Sequence, residues 1–227
     1  MIIVLLLLFL LAFVCTFREH FHNKRIILYN FLYGNKIVPY HEIYPLKKYT
    51  FYNRQLTGPN TVSLFRQLYS PNYMTYGKRK YGSHKPFKLI NFSPAKVISQ
   101  HHQCNAKTPR CIFWKSKNYM IPPCCASHLT ELLFYLTDLF DKHKIDYFIY
   151  YGTLLGSIRH KGLIPWDTDA DLFINLKSKS RLAGLQPEIE RDTHYKLKLS
   201  NSARQPSRLS FSRLNKIHID IYTFSTQ

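Results

Sequence analysis

The stretch that decides the fold is residues 147–174, with the sequence YFIYYGTLLGSIRHKGLIPWDTDADLFI. This pattern predicts a strand, a glycine-bounded turn into a short helix, a basic loop, and a second strand that begins with carboxylates. Alternate residues of a strand share one face, so Asp169 and Asp171 point the same way, with Asp167 just before them. Like charges this close repel each other unless a cation lies between them. Because such oxygen ligands suit Mg²⁺ or Mn²⁺, the pair predicts a metal site.

A phosphate-binding element is predicted just before these carboxylates, at Gly156 and Ser157. A glycine at a helix start lets backbone N–H groups approach an anion, and the helix dipole favours negative charge there. A third carboxylate, Asp220, lies farther along the chain in a strand pattern where isoleucines alternate with polar residues. Together these features predict a site in which a metal faces a bound phosphate.

The same stretch resembles the LicD/fukutin family. The resemblance is carried by GTLLGS at residues 152–157 and by IPWDTDAD at residues 164–171, and a match of this length is far more specific than a lone Asp-x-Asp. It implies an α+β fold with a nucleotidyltransferase-like mixed sheet and packed helices. It also implies that phosphocholine, ribitol phosphate or a similar group moves from a nucleotide-activated donor, with a CDP-linked donor favoured, to a glycan or glycoprotein acceptor.

The chemistry of the residues and the resemblance together predict the role of each site residue. Asp169 and Asp171 would hold Mg²⁺ or Mn²⁺, and Asp220 would take a second ion and help to deprotonate the acceptor hydroxyl. The set expected to bind the donor and its phosphates is Gly152, Thr153, Gly156, Ser157, Arg159, His160, Lys161, Trp166 and Asp167.

Simpler interpretations stay open for several of these residues. The basic loop of Arg159, His160 and Lys161 either binds phosphates, with His160 as a proton shuttle, or is a solvated loop. Trp166 either stacks on a base or sugar or packs to fix the loop. The Asp169 and Asp171 pair either binds metal or caps a loop in a relative that has lost activity.

Charge is distributed unevenly along the 227 residues. Residues 18–121 hold 18 Lys and Arg against 2 acids, whereas residues 122–227 hold 14 against 11. This break predicts a boundary near residue 121, between a basic stem of unknown fold and a family-like domain that we expect to be C-terminally incomplete. The aromatic and basic residues of the stem suit anionic glycans or lipid head groups, and we expect no nucleic-acid partner because the chain begins with a secretory-type segment.

That segment, residues 1–17, is an apolar run closed by Arg18. Its length predicts either a short signal anchor or a cleaved signal peptide. A poor cleavage pattern favours the anchor, although the basic residues after the run prefer the cytosolic side of a membrane. With the resemblance, the anchor implies a single-pass Golgi or endoplasmic reticulum protein with a lumenal C-terminal domain, and cleavage would make the chain secreted.

Four cysteines lie close together around the end of the basic stem: Cys104, Cys111, Cys124 and Cys125. They predict a disulfide-stapled loop in an oxidising lumen, in which Cys104 and Cys111 each bond one of the adjacent pair. Zinc is the competing interpretation, with His101 and His102 nearby. It is disfavoured because adjacent cysteines lack the two-residue gap that lets both thiolates reach one ion.

Apolar periodicity predicts a core helix after the cysteines, with Ser127 as its N-cap. Its buried stripe is expected at Leu129, Leu132, Leu133, Leu136, Leu139 and Phe140. A short helix is expected near residues 182–189. Residues 207–214 and 217–224 alternate in the manner of two paired strands.

Two other function classes compete with a transferase. A catalytically inactive lumenal glycan-binding or scaffolding relative is compatible with a chain that ends soon after Asp220 and with the small Ala170 between two carboxylates. A basic RNA-binding protein would instead show affinity that falls steeply with salt.

Overall fold

The computed structural model describes residues 24–30, 34–69, 71–77, 87–88, 107, 121, 123–215 and 217–227. The predictions for residues 1–17, Cys104 and Cys111 lie outside these residues, so the anchor, the signal peptide and the disulfide pairing stay predictions. Across the described residues, no helix combines the length and the apolar character that crossing a bilayer requires.

The helices and strands of the described residues are, in chain order, β1 (Arg25–Leu28), β2 (Lys36–Pro39), α1 (Tyr40–Ile43), β3 (Lys47–Phe51), β4 (Arg54–Gly58), α2 (Phe65–Leu68), β5 (Tyr76–Gly77), β6 (Phe87–Lys88), α3 (Pro123–Lys142), β7 (Tyr147–Ile149), α4 (Tyr151–His160), β8 (Asp169–Asn175), a 3₁₀ turn (Leu176–Ser178), α5 (Lys179–Gly184), α6 (Gln186–Asp192), β9 (Lys196–Lys198), β10 (Ser207–Ser210) and β11 (His218–Thr226).

A mixed seven-stranded sheet lies at the centre of the described chain. Strands β8 and β11 run parallel in its middle. Antiparallel β7 flanks β8 on one side, and β10 followed by β1 pairs antiparallel with β11 on the other. Strand β9 continues the sheet from β10, and β2 continues it from β1. The predicted α+β class with a mixed sheet is confirmed.

Helix α3 packs on β8 and β11 through the stripe that the sequence predicts. All six predicted stripe residues, from Leu129 to Phe140, are buried. The helix begins at Pro123, four residues before the predicted cap Ser127, because a proline in the first turn has no N–H group to satisfy and its φ is already helical.

Aromatic rings pack together β8 and β11, which carry the carboxylates, and the neighbouring strand β7. Phe148 of β7 stacks on Phe173 of β8, with ring centroids 5.4 Å apart. Phe224 of β11 lies 5.2 Å from Phe148. Each such pair adds about 1 kcal/mol beyond the burial of its area, and together they fix β7, β8 and β11 against one another.

The N-terminal segment completes this sheet. Strand β1 pairs with the end of β11, from Ile26 beside Thr226 to Leu28 beside Phe224. Ile26 and Leu28 are fully buried, and the β3–β4 hairpin packs on α4 and β7. One sheet and its core therefore cross the predicted boundary near residue 121.

The C-terminal part follows the predicted pattern in outline. Strands β10 and β11 pair antiparallel as expected, with Ser207 beside Ile221. Strand β10 ends at Ser210, four residues before the predicted end, and fully buried Asn215 lies in the turn that follows. The expected short helix at residues 182–189 is present as α5 and α6, whereas β9 has no counterpart in the prediction.

Candidate active site

The predicted carboxylates lie on one face of β8 and β11. The parallel register places His218 beside Asp169 and Asp220 beside Asp171. Because alternate residues of a strand share a face, all four side chains point to the same side of the sheet. The three aspartates are only 6 to 8% exposed, so their charges are held in poorly solvated surroundings.

Three of these side chains form the acidic cluster, defined as Asp169, His218 and Asp220. Each offers a ligand atom, and these atoms lie within 4.8 Å of one another. Two carboxylates and an imidazole form a donor set that fits a divalent cation, and the carboxylates suit the predicted Mg²⁺ or Mn²⁺. His218 is absent from the predicted site, although its position two residues before Asp220 in an alternating strand already placed it on the same face.

Asp171 lies outside this cluster and faces the start of α4. Its backbone N–H donates to Thr153 Oγ1 at 2.7 Å. A Cβ at Gly152 would overlap Asp167 Oδ2 and lie 3.7 Å from Asp171 Oδ2. Gly152 therefore lets the helix start approach two carboxylates, and the structure brings Gly152, Thr153 and Asp167 together with Asp171. Tyr151, the first residue of the helix, has a φ of 45°, which non-glycine residues seldom adopt.

The predicted placement of Gly156 and Ser157 at a helix start is wrong. Helix α4 begins five residues earlier, at Tyr151, so both residues are in its interior. The Ser157 hydroxyl is buried and donates to the Thr50 carbonyl at 2.7 Å. A Cβ at Gly156 would overlap the carbonyl oxygen of Gly162. Gly156 and Ser157 thus join α4 to the chain around it, and the helix start next to the carboxylates is at Gly152.

The basic helix end, defined as Arg159, His160 and Lys161, is packed by residues from the N-terminal segment. The Arg159 guanidinium donates from Nη1 to the Tyr73 carbonyl at 2.7 Å and lies 5.4 Å from the Trp166 ring centroid. Burial lowers the pKa of Arg159 to about 10, although the nearby Asp167 carboxylate opposes this shift. Trp166 is partly buried and also packs against the hydrophobic core.

His160 is held in its neutral form. Burial and the neighbouring Arg159 charge lower its pKa to about 4. Its Nε2 accepts a hydrogen bond from Arg159 Nε at 2.8 Å, and its ring meets Trp166 edge to face. Lys161 is exposed and ends the helix with a φ of 57°, and its carbonyl oxygen accepts a hydrogen bond from the Tyr52 N–H.

Two tyrosines near the carboxylates were missed by the sequence analysis. Burial, followed by the charges of Asp171 and Asp167, raises the pKa of Tyr69. Burial and the charges of Asp171 and Asp220 likewise raise the pKa of Tyr222. Both phenols stay protonated and can donate hydrogen bonds to anionic oxygens. Tyr69 carried no signal because it lies about a hundred residues before the aspartates.

A basic side chain next to the carboxylates, that of Arg208, was also absent from the predicted site. Arg208 of β10 donates from Nε to Asp220 Oδ1 at 2.8 Å and from Nη2 to Asp220 Oδ2 at 3.2 Å. Burial lowers the pKa of Arg208, but the hydrogen bonds and charge of Asp220, with a further contribution from Asp169, outweigh it and raise the pKa.

Comparison with known proteins connects this site to a family. Residues 144–227 match the LicD/FKTN/FKRP nucleotidyltransferase domain. The ribitol 5-phosphate transferase FKRP of Homo sapiens is 29% identical over 132 residues, 53% of this chain and 27% of that protein. The lipopolysaccharide cholinephosphotransferase LicD of Haemophilus influenzae is 37% identical over 67 residues, 30% of this chain and 25% of that protein.

An uncharacterized protein of Rickettsia prowazekii is 38% identical over 74 residues, 33% of this chain and 28% of that protein. The chain therefore spans only about a quarter of the length of each of these relatives.

Proposed function

Since the chain belongs to the LicD/fukutin family through residues 144–227, we propose that it is a metal-dependent phosphotransferase with a nucleotidyltransferase-type fold. It moves phosphocholine, ribitol phosphate or a similar group from a nucleotide-activated donor, CDP-linked by preference, to a glycan. We further propose that it works in the Golgi or endoplasmic reticulum lumen, held to the membrane by residues 1–17.

The observation that carries this proposal is the acidic cluster on the β8–β11 face, where Asp169, His218 and Asp220 converge within 4.8 Å. Phosphoryl transfer needs charge neutralisation and positioning more than covalent chemistry. A Mg²⁺ or Mn²⁺ ion held by these three residues would supply that neutralisation. The relatives named as phosphate-transferring enzymes support the same chemistry.

The surrounding residues complete the proposed site. The start of α4 at Gly152 and Thr153 offers backbone N–H groups and a dipole to a donor phosphate. The protonated hydroxyls of Tyr69 and Tyr222 donate to anionic oxygens, because burial and the nearby carboxylates disfavour their ionisation.

Proton acceptance from the acceptor hydroxyl is assigned to Asp171. Asp220, for which this role was predicted, is proposed here as a ligand of the cation in the acidic cluster. Asp171 lies outside that cluster, beside Asp220 on the adjacent strand. A carboxylate near a cation-binding cluster is a suitable general base when geometry brings the hydroxyl within hydrogen-bond reach.

The test is nucleotide release from a CDP-linked donor by wild type and Asp169→Asn, each with Mg²⁺. Loss of one charge-stabilising group at a reacting centre lowers turnover by roughly 10² to 10³, so we expect a drop of that size with an unchanged far-UV circular dichroism spectrum. Asp192→Asn is the control, because Asp192 is an exposed carboxylate that pairs with neighbouring Arg191. Wild-type turnover in Asp169→Asn would contradict the metal assignment.

A further inference from the structure

Arg208 and the acidic cluster share one carboxylate. Arg208 lies directly across from Asp220 in the antiparallel β10–β11 pair. Its guanidinium contacts both oxygens of that side chain, at 2.8 and 3.2 Å. Asp220 Oδ1, which accepts the shorter of these bonds, also lies 3.6 Å from His218 Nε2. A cation that uses Asp220 as a ligand must therefore compete with Arg208 for the same oxygens.

The two partners differ in their freedom to move. The Asp220 side chain is 8% exposed, whereas the Arg208 side chain is 46% exposed. Strand pairing on both sides of β11 fixes the backbone of Asp220. Arg208 reaches the carboxylate from a long, half-solvated side chain, so it can leave the pair without disturbing the sheet.

Resting on the proposed function, we infer that Arg208 is the resident counter-ion of the acidic cluster and a positioning residue for the donor. The divalent cation displaces its guanidinium from Asp220 when it binds. The guanidinium then pairs with an oxygen of the donor diphosphate at the edge of the site. A planar guanidinium suits this exchange because its forked N–H groups match carboxylate and phosphate oxygens alike.

The first measurement is Mn²⁺ binding to the full chain, followed by electron paramagnetic resonance, without nucleotide. Removal of the competing charge in Arg208→Gln is expected to tighten Mn²⁺ binding roughly tenfold, by the size typical of a charge-assisted pair. Arg204→Gln is the matched control, because Arg204 is an exposed arginine in the turn before β10 and its loss should change the affinity less than twofold. Unchanged or weaker Mn²⁺ binding in Arg208→Gln would overturn the inference.

The second measurement is CDP binding to the same variants at saturating Mn²⁺. Arg208→Gln is expected to bind CDP roughly tenfold more weakly while it binds Mn²⁺ more tightly. Opposite shifts of the two affinities identify the exchange, since general damage to the site weakens both. Should Arg208→Gln fail to fold, Arg208→Lys replaces it, since lysine keeps the positive charge but lacks the forked N–H groups of the guanidinium. We expect smaller shifts of the Mn²⁺ and CDP affinities in the same two directions. Shifts of both affinities in a common direction would overturn the inference.

Asp169→Asn separates this inference from the proposed function. If Asp169→Asn binds Mn²⁺ as wild type does, the metal site itself is wrong. If Asp169→Asn abolishes Mn²⁺ binding but Arg208→Gln leaves it unchanged, the metal site stands and only the role of Arg208 fails.

Discussion

The acidic cluster and the basic helix end lie on the same domain but are built in opposite ways. The acidic cluster comes from two adjacent parallel strands whose register sets which residues face each other. The basic helix end is held by residues far away in sequence. Arg159 forms a hydrogen bond with Tyr73, 86 positions before it. Leu163, just beyond the helix end, forms a hydrogen bond with Tyr52, 111 positions before it. Local periodicity therefore determines the first region, and tertiary contacts with the N-terminal segment determine the second.

This difference changes the role expected for the basic residues. A solvated cation loop would be free to clamp donor phosphates, whereas Arg159 is engaged with the Tyr73 carbonyl, His160 and the Trp166 ring. The basic helix end thus fastens the N-terminal segment to α4, next to the carboxylates. Perturbing it should affect stability first, whereas perturbing the acidic cluster should affect ligand binding first.

The largest effect on stability is expected from Gly156→Ala. The new methyl group would overlap the Gly162 carbonyl oxygen and lie 3.2 Å from the Ile164 nitrogen, so backbone must move. Overpacking of this kind costs about 2 kcal/mol, or roughly 6 °C in Tm for a chain of this size. Thermal unfolding checks this, with Gly184→Ala as control because a Cβ there meets nothing within 4 Å. Equal Tm values for both variants would refute the close contact.

A smaller effect is expected from the pH dependence of His160. Its pKa is lowered to about 4 in the folded chain, against about 6.5 when unfolded. As pH falls from 6.5 to 4, the unfolded chain takes up a proton that the folded chain does not, so wild type loses stability relative to His160→Gln. We expect this relative loss in the free energy of unfolding to be about 1 kcal/mol, because partial solvent exposure of the ring reduces the effect.

Denaturant unfolding of wild type and His160→Gln at pH 7 and pH 4.5 measures this difference. A difference between the two proteins that stays constant with pH would contradict the buried, neutral state of His160. Because the free energies of unfolding of the two proteins are subtracted at each pH, the contributions of the other ten histidines of the chain cancel.

The smallest effect is expected from Tyr52→Phe. The Tyr52 hydroxyl accepts a hydrogen bond from the Leu163 N–H at 3.2 Å, and loss of one such long bond costs about 0.5 kcal/mol. Amide hydrogen exchange at Leu163 should accelerate. Tyr49→Phe is the control, because the Tyr49 hydroxyl bonds Pro59, next to its own hairpin. Acceleration at Leu163 in both variants would show that the hairpin, rather than this bond, protects the amide.

Sequence reasoning reached the parts of the fold that repeat locally. Alternation in β8 and β11 placed Asp169, Asp171 and Asp220 on one face, and the 3.6-residue period identified the buried face of α3.

Other features depended on contacts that a single sequence does not reveal. The start of α4 was misplaced because Gly156 resembles a helix-start glycine, yet it is small in order to admit the chain at Gly162. Arg208 and Tyr69 reach the site through strand pairing and through packing of the N-terminal segment, respectively. The composition break near residue 121 followed charge, but β1 is held in the sheet by hydrogen bonds and buried aliphatic side chains.

The most direct test of the central claim is thermal unfolding of the full chain with CDP- and UDP-linked donors, each with and without Mg²⁺, in wild type and Asp169→Asn. A ligand that binds only the folded state raises its stability by about 2.7 kcal/mol at a hundredfold excess over Kd. We expect a Mg²⁺-dependent rise in Tm with one donor, and we expect Asp169→Asn to lose this rise. No rise with any donor, or a rise that Asp169→Asn retains, would contradict the central claim.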